Sequence, residues 1–194
     1  MGLVNVQQIA RVQSCLAEAS SLADLFAEKG FEFPDRVASW LRELESSARE
    51  AQLSVVPRVA GLRVSVEAAR RGFSSGTSET SQDKGRMTRR KARHAAAQQA
   101  LRSAIELTLE AVRPFEERQL RAQDIALTIV SRSFERALWP GQGKCTDMPS
   151  MWQTMLADPD LGSQVRELSA LLGLGQGMML VARTMNEFAN NGAQ

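Results

Sequence analysis

Tyrosine is absent from this chain, and the other aromatics are few: seven Phe and three Trp in 194 residues. Tyr is the commonest amphipathic anchor of carved ligand pockets, so its absence argues against a small-molecule enzyme. Packing must rest on Leu, Val, Ile, Ala and eight Met, the composition of helix-on-helix cores. Histidine occurs once, at His94, which excludes a di-iron bundle with its paired Glu-x-x-His motifs. Neither a Ser-His-Asp arrangement nor a P-loop can be read from the spacing. The sequence thus predicts no catalytic residue, no metal site and no cofactor.

Cysteine is scarce too. Cys15 and Cys145 are far apart and lack CxxC spacing, so two reduced thiols are expected, with the cytoplasm as the default location. The opening stretch MGLVNVQQIARVQSCLAEA has no basic n-region and no continuous apolar run, so no signal peptide is expected. Val6 stands where a myristoylation motif places Ser or Thr.

Strand alternation is missing, while apolar residues recur at steps of three and four nearly everywhere. The spacing predicts a first helix over about 3–29, with Ile9, Leu16 and Ala23 in one heptad row and Val12, Ala19 and Phe26 in another. Phe33-Pro34-Asp35 opens a second helix, in which Val37, Leu41, Leu44, Ala48, Ala51 and Val55 continue in phase through Val59 and Val66. Pro57 interrupts that register and predicts a kink or short break. Residues 74–85, SSGTSETSQDKG, hold no large apolar side chain and read as a flexible loop. A third helix is expected over about 86–139, divided or bent at Pro114, then a short helix over 149–157. Asp158-Pro159-Asp160 supplies an N-cap, a first-turn Pro and a dipole-matched acid for a last helix to about 189. The expected architecture is an all-α, up-and-down bundle of long, proline-kinked helices. It forms one domain, with a hairpin (3–73) and a C-terminal helical half (86–190) around the 74–85 loop.

What the chain does have is one concentrated charge cluster. Residues 84–102, KGRMTRRKARHAAAQQALR, carry seven Lys/Arg and no acid, leaving 17 basic against 22 acidic side chains elsewhere, a net of −5. Arg86, Arg89 or Arg90, and Arg93 share one helix face, flanked by Lys84 and Lys91. Arg offers a planar fork that matches phosphate oxygens, so Arg86, Arg89, Arg90, Lys91 and Arg93 are candidate nucleic-acid or anion ligands. The alternative is a solvated face paired with Glu32, Asp35, Glu43, Glu45 or Glu50 of a neighbouring helix. His94 reads as an exposed polar residue whose cationic neighbours disfavour its protonation.

The second feature is Leu168–Ala182, fifteen residues without a charge. Leu171, Leu174, Met178, Val181 and Met185 form one stripe, continued by Phe188; Leu161, Val165, Leu168, Leu172, Gly175, Met179 and Ala182 form another. A helix apolar on both faces is central in its bundle or covered by a partner, which makes the first stripe a candidate partner-binding face. Gly173, Gly175 and Gly177 imply close backbone approach or a deformable segment. The run is shorter than the roughly 20 residues that span a bilayer.

Three functions follow as expectations. The first is a non-enzymatic helical interaction module that binds a protein partner or self-associates through an apolar helix face. The second is a nucleic-acid-associated adaptor using the basic helix 84–102. The third is an effector or toxin-like protein whose Gly-rich last helix is membrane-active.

Overall fold

The computed structural model describes residues 6–28, 30–72, 82–138 and 147–191, with backbone alone at 6, 82–88 and 191. Eight helices and no strand occur among the described residues, and the architecture is an all-α helical bundle. The chain gathers into two compact units, Gly2–Pro114 and Phe115–Gln194.

The first unit holds α1 (Val6–Ala17), α2 (Ala19–Ala27), α3 (Phe33–Glu50), α4 (Val56–Arg71) and the first part of α5 (Gln82–Glu135). α3 is its hub: α1, α2 and α4 all pack on it. The row predicted from periodicity is the row that is buried. Val37, Leu41, Leu44 and Ala48 on α3 are fully or almost fully covered, as are Val59 and Val66 on α4. Each such Leu contributes about 2 kcal/mol of burial. Trp40 Nε1 donates to the Cys15 carbonyl at 2.7 Å and fastens α3 to α1.

Pro57 does break the second helix, and the local chemistry explains where. Pro57 sits in the first turn of α4, where its missing N–H leaves no bond unmade. α3 therefore ends before it, in a Schellman closure. Leu53 N–H donates to the Ala48 carbonyl at 2.9 Å and Gln52 N–H to the Arg49 carbonyl at 3.0 Å. Gln52 takes the left-handed position, φ 53°, that glycine usually fills.

The first helix differs from expectation. It is two helices, parted at Glu18, although Glu18 N–H still donates to Ser14 O at 3.3 Å. Val12 and Ala19 are buried as the second heptad row requires, while Leu16 is half-covered and Ala23 is exposed. The buried set over α1 and α2 is Ile9, Val12, Cys15, Ala19 and Leu22, stepping by three and four, so Cys15 and Leu22 take the core places expected of Leu16 and Ala23.

The second unit combines the later part of α5 with α6 (Met148–Ala157), α7 (Gly162–Leu172) and α8 (Leu174–Asn191). Its core is Ala126, Ile129 and Val130 of α5 against Trp152, Met155, Leu168, Val181 and Met185. α5 runs through Pro114 undivided. Glu110, whose carbonyl loses its helical donor there, is an exposed residue. Asp158 caps the turn before α7, accepting from Asp160 N at 2.9 Å and Leu161 N at 3.1 Å, although α7 itself starts at Gly162.

The expected single last helix is also two helices. Gly173 adopts φ 84°, ψ 156°, a conformation closed to residues with a Cβ, and the axis turns by 117° there. The turn changes which stripe is buried. At α7 the second stripe is covered, at Val165 and Leu168 and at Leu161 just before its first turn; on α8 the first is, at Val181 and Met185. Gly177 fits a close approach, since a Cβ there would lie 3.2 Å from the Trp152 ring, whereas Gly175 faces open space.

Candidate functional site

In the first unit α3 and α4 run antiparallel, and an ion-pair ladder climbs away from their turn. Arg63 meets Glu45 at 2.9 Å, Arg42 meets Glu67 at 3.4 Å, and Arg70 meets Asp35 at 2.5 Å. Arg63 also holds Glu67 at 3.1 Å. The hydrogen bond from Arg63, and then its charge, hold both Glu45 and Glu67 below the usual Glu range. Those carboxylates stay ionised and stay occupied.

α5 lays its basic segment along the top of this ladder. Two aromatic contacts fix it. His94 stacks on Phe33, centroids 5.7 Å apart and planes 27° from parallel, and the Arg90 guanidinium lies 3.7 Å from the Phe31 ring centroid. Beyond these, Ala97, Ala100 and Ala104 are buried: the small residues of the Ala-rich continuation allow α5 to lie close. His94 is half-buried rather than exposed, and burial first, Arg90 second, lower its pKa.

Between these elements lies an open cleft of about 910 Å³. Arg42, Arg63, Arg70 and Arg71 line it from α3 and α4, and Arg89, Arg90 and Arg93 from α5. Among the described residues Asp35 and Glu67 are the only acids in its lining, so there seven guanidiniums face two carboxylates, a net of +5 with His94 neutral. Both acids are already paired within the ladder. Of the five acids expected to neutralise the α5 cluster, three are engaged elsewhere: Asp35 with Arg70, Glu45 with Arg49 and Arg63, and Glu50 with Arg11; Glu32 and Glu43 form no ion pair among the described residues. Among the described residues no carboxylate pairs with Arg71, Arg89 or Arg93. Twenty of the chain's 24 basic residues are arginine, the side chain whose fork suits phosphate oxygens.

Of the anion-binding candidates, Arg89, Arg90 and Arg93 meet in this cleft; Lys91 is exposed and is not among its lining residues. The side chain of Arg86 lies outside the described residues. Arg42, Arg63, Arg70 and Arg71 were not among the sequence candidates. They lie 18 to 51 residues before Arg89 or Arg93, and no local pattern links them to that segment.

The candidate partner face behaves differently. Val181 and Met185 are fully buried in the core of their own unit, and Leu171 and Met178 pack against it partly covered. Leu174 alone of the five is exposed, at 56%. No single helix among the described residues is long and apolar enough to cross a membrane; α7 and α8 meet that measure only as the bent pair. Cys15 is a buried thiol whose pKa is pushed up to about 12 by burial, then by Glu18 and Glu43, which disfavours its thiolate; Cys145 lies outside the described residues.

The fold is thus a helical bundle, and its most distinctive surface is an arginine-lined concavity. Comparison with protein-family models, curated proteins and solved structures finds no match to this chain.

Proposed function

We propose that the protein is a non-enzymatic, nucleic-acid-associated adaptor whose arginine cleft holds backbone phosphates. The observation that carries this reading is the imbalance in the cleft: among its described residues seven arginines line it against two acids, and those two acids are taken up by Arg42, Arg63 and Arg70. Guanidinium side chains presented on a fixed helical frame bind phosphate oxygens bidentately. Because such contacts fall on the backbone, affinity should weaken steeply with salt and depend little on sequence. Titration of labelled nucleic acid by anisotropy tests it. Binding that falls between low and near-physiological salt, and that is lost in an Arg89→Glu/Arg93→Glu variant, supports the adaptor; binding indifferent to that double reversal refutes it.

A second reading, a protein partner or self-association through an apolar helix face, draws support from α5 rather than from α8. Leu120, Leu127 and Phe134 are spaced by seven on α5 and are 61%, 52% and 48% exposed. A stripe of that length on one helix face is a common docking element. Light scattering of the chain and of a Leu120→Glu/Leu127→Glu variant separates an oligomer held by this stripe from a monomer.

A further inference from the structure

Phe31 is the most exposed large apolar side chain among the described residues, at 77%, and it lines the arginine cleft. Its neighbour Phe33 is its opposite, fully buried and in contact with the rings of Phe26 and His94. Two aromatics two positions apart thus serve different ends. Phe33 anchors the fold, and Phe31 carries an arginine on one face and turns the rest of its surface to water. Leaving a Phe side chain in water forgoes about 2 kcal/mol of burial, and the contact with Arg90 occupies only one face of the ring.

We propose that the cleft takes single-stranded nucleic acid, one unpaired base stacking on the open face of Phe31 while the adjoining phosphates lie on Arg71, Arg89 and Arg93. The proposal rests on the phosphate-binding reading above and adds the state of the strand. A positively charged groove with an aromatic platform at its edge is the general design of single-strand recognition, and it tolerates any base because every base has a π-face. In a duplex the base faces are stacked on one another, and the ring has nothing to receive. Arg90 completes the platform: a guanidinium over one face of the ring and a base over the other make a three-layer stack. An acidic peptide would satisfy the arginines and leave Phe31 unused.

The test compares three labelled probes on the full chain: a short single-stranded oligonucleotide, the duplex of the same sequence, and polyphosphate, which has charge without bases. The expected result is single-strand binding at least roughly tenfold tighter than duplex binding, weakened about tenfold by Phe31→Ala, with polyphosphate affinity unchanged by that substitution. Phe31→Trp should restore single-strand affinity and add a fluorescence signal that quenches on binding. Phe31 is exposed, so both variants should keep the parent's helical circular dichroism. If single strand and duplex bind alike, Phe31→Ala changes neither, and Arg89→Glu/Arg93→Glu weakens both, the stacking proposal is overturned and the phosphate reading stands. Binding of polyphosphate alone also overturns it, and no binding to any probe at low salt overturns both.

Discussion

Arg63 reaches across the α3–α4 hairpin to donate its Nε hydrogen to Glu45 at 2.9 Å, and only 9% of the Glu45 side chain is exposed. This pair is the lowest rung of the ladder on which the cleft is built. Arg49 donates to the other Glu45 oxygen at 2.6 Å, so the buried carboxylate is fully occupied. Replacing Glu45 by Gln takes one of two carboxylates from Arg63, and stability should fall by about 2 kcal/mol, below the range for a wholly buried pair because Arg63 is 24% exposed and keeps Glu67. Urea denaturation measures it. The pH dependence follows from the depressed pKa. Because Glu45 and Glu67 titrate below the usual Glu value of 4.5 when folded, their contribution is present above that value and is lost as pH falls through the lower folded values. The parent should lose stability steeply below pH 4.5, and the Glu45→Gln variant less steeply.

His94 carries the opposite sign. Its folded pKa lies below 6.5, so protonation opposes the folded state, and stability from this residue declines as pH drops below 6.5. A bound polyanion would place negative charge beside the imidazole and raise its pKa. An NMR titration of the single histidine should show a value below 6.5 in the free protein and a higher one when the cleft is filled. An unchanged value on binding would place the ligand elsewhere.

Two helix ends adopt the left-handed conformation without glycine. Gln52 closes α3 with φ 53°, and Ala137 closes α5 with φ 53°, Leu138 N–H reaching back to the Ser133 carbonyl at 3.0 Å. Both residues are exposed, so side-chain loss costs little. Ala137→Gly and Gln52→Gly should each stabilise the fold by about 0.5–1 kcal/mol, read as a rise in urea midpoint at constant slope.

Thr108 is fully buried on α5, and its hydroxyl has no hydrogen-bond partner among the described residues. Thr108→Val keeps the shape and removes the unsatisfied group, and should stabilise by about 1 kcal/mol. Gly162 sets the converse case. A Cβ there would lie 2.5 Å from the Leu156 carbonyl oxygen, so Gly162→Ala should cost about 1–3 kcal/mol in the same assay.

The helical class, the buried row from Val37 to Val66, the break before Pro57 and the short helix over α6 were all legible, because each follows from local spacing or from proline. The breaks at Glu18 and Gly173 were not. The apolar period runs through both, and only the backbone angles of Gly173 show that the stripes exchange roles there. Three of the seven cleft arginines were legible as well. Arg89, Arg90 and Arg93 stand out as a charge run, but Arg70 and Arg71 look like ordinary last-turn cations of α4, and Arg42 and Arg63 like ordinary exposed charges. Their convergence depends on an antiparallel hairpin and on α5 docking through Phe31 and Phe33, neither of which leaves a local pattern.

The most direct test of the account is the salt dependence of nucleic-acid affinity in two variants of equal net charge. One is Arg89→Glu/Arg93→Glu, inside the cleft; the other is Arg58→Glu/Arg132→Glu, exposed positions outside its lining. Each neutralised phosphate contact changes the slope of log K against log salt by about 0.7–0.9. Phosphate binding in the cleft predicts a flatter slope and a large affinity loss for the cleft pair, with the control pair close to the parent. Equal losses in both variants would mean that binding follows net charge alone, and would contradict the cleft as the site.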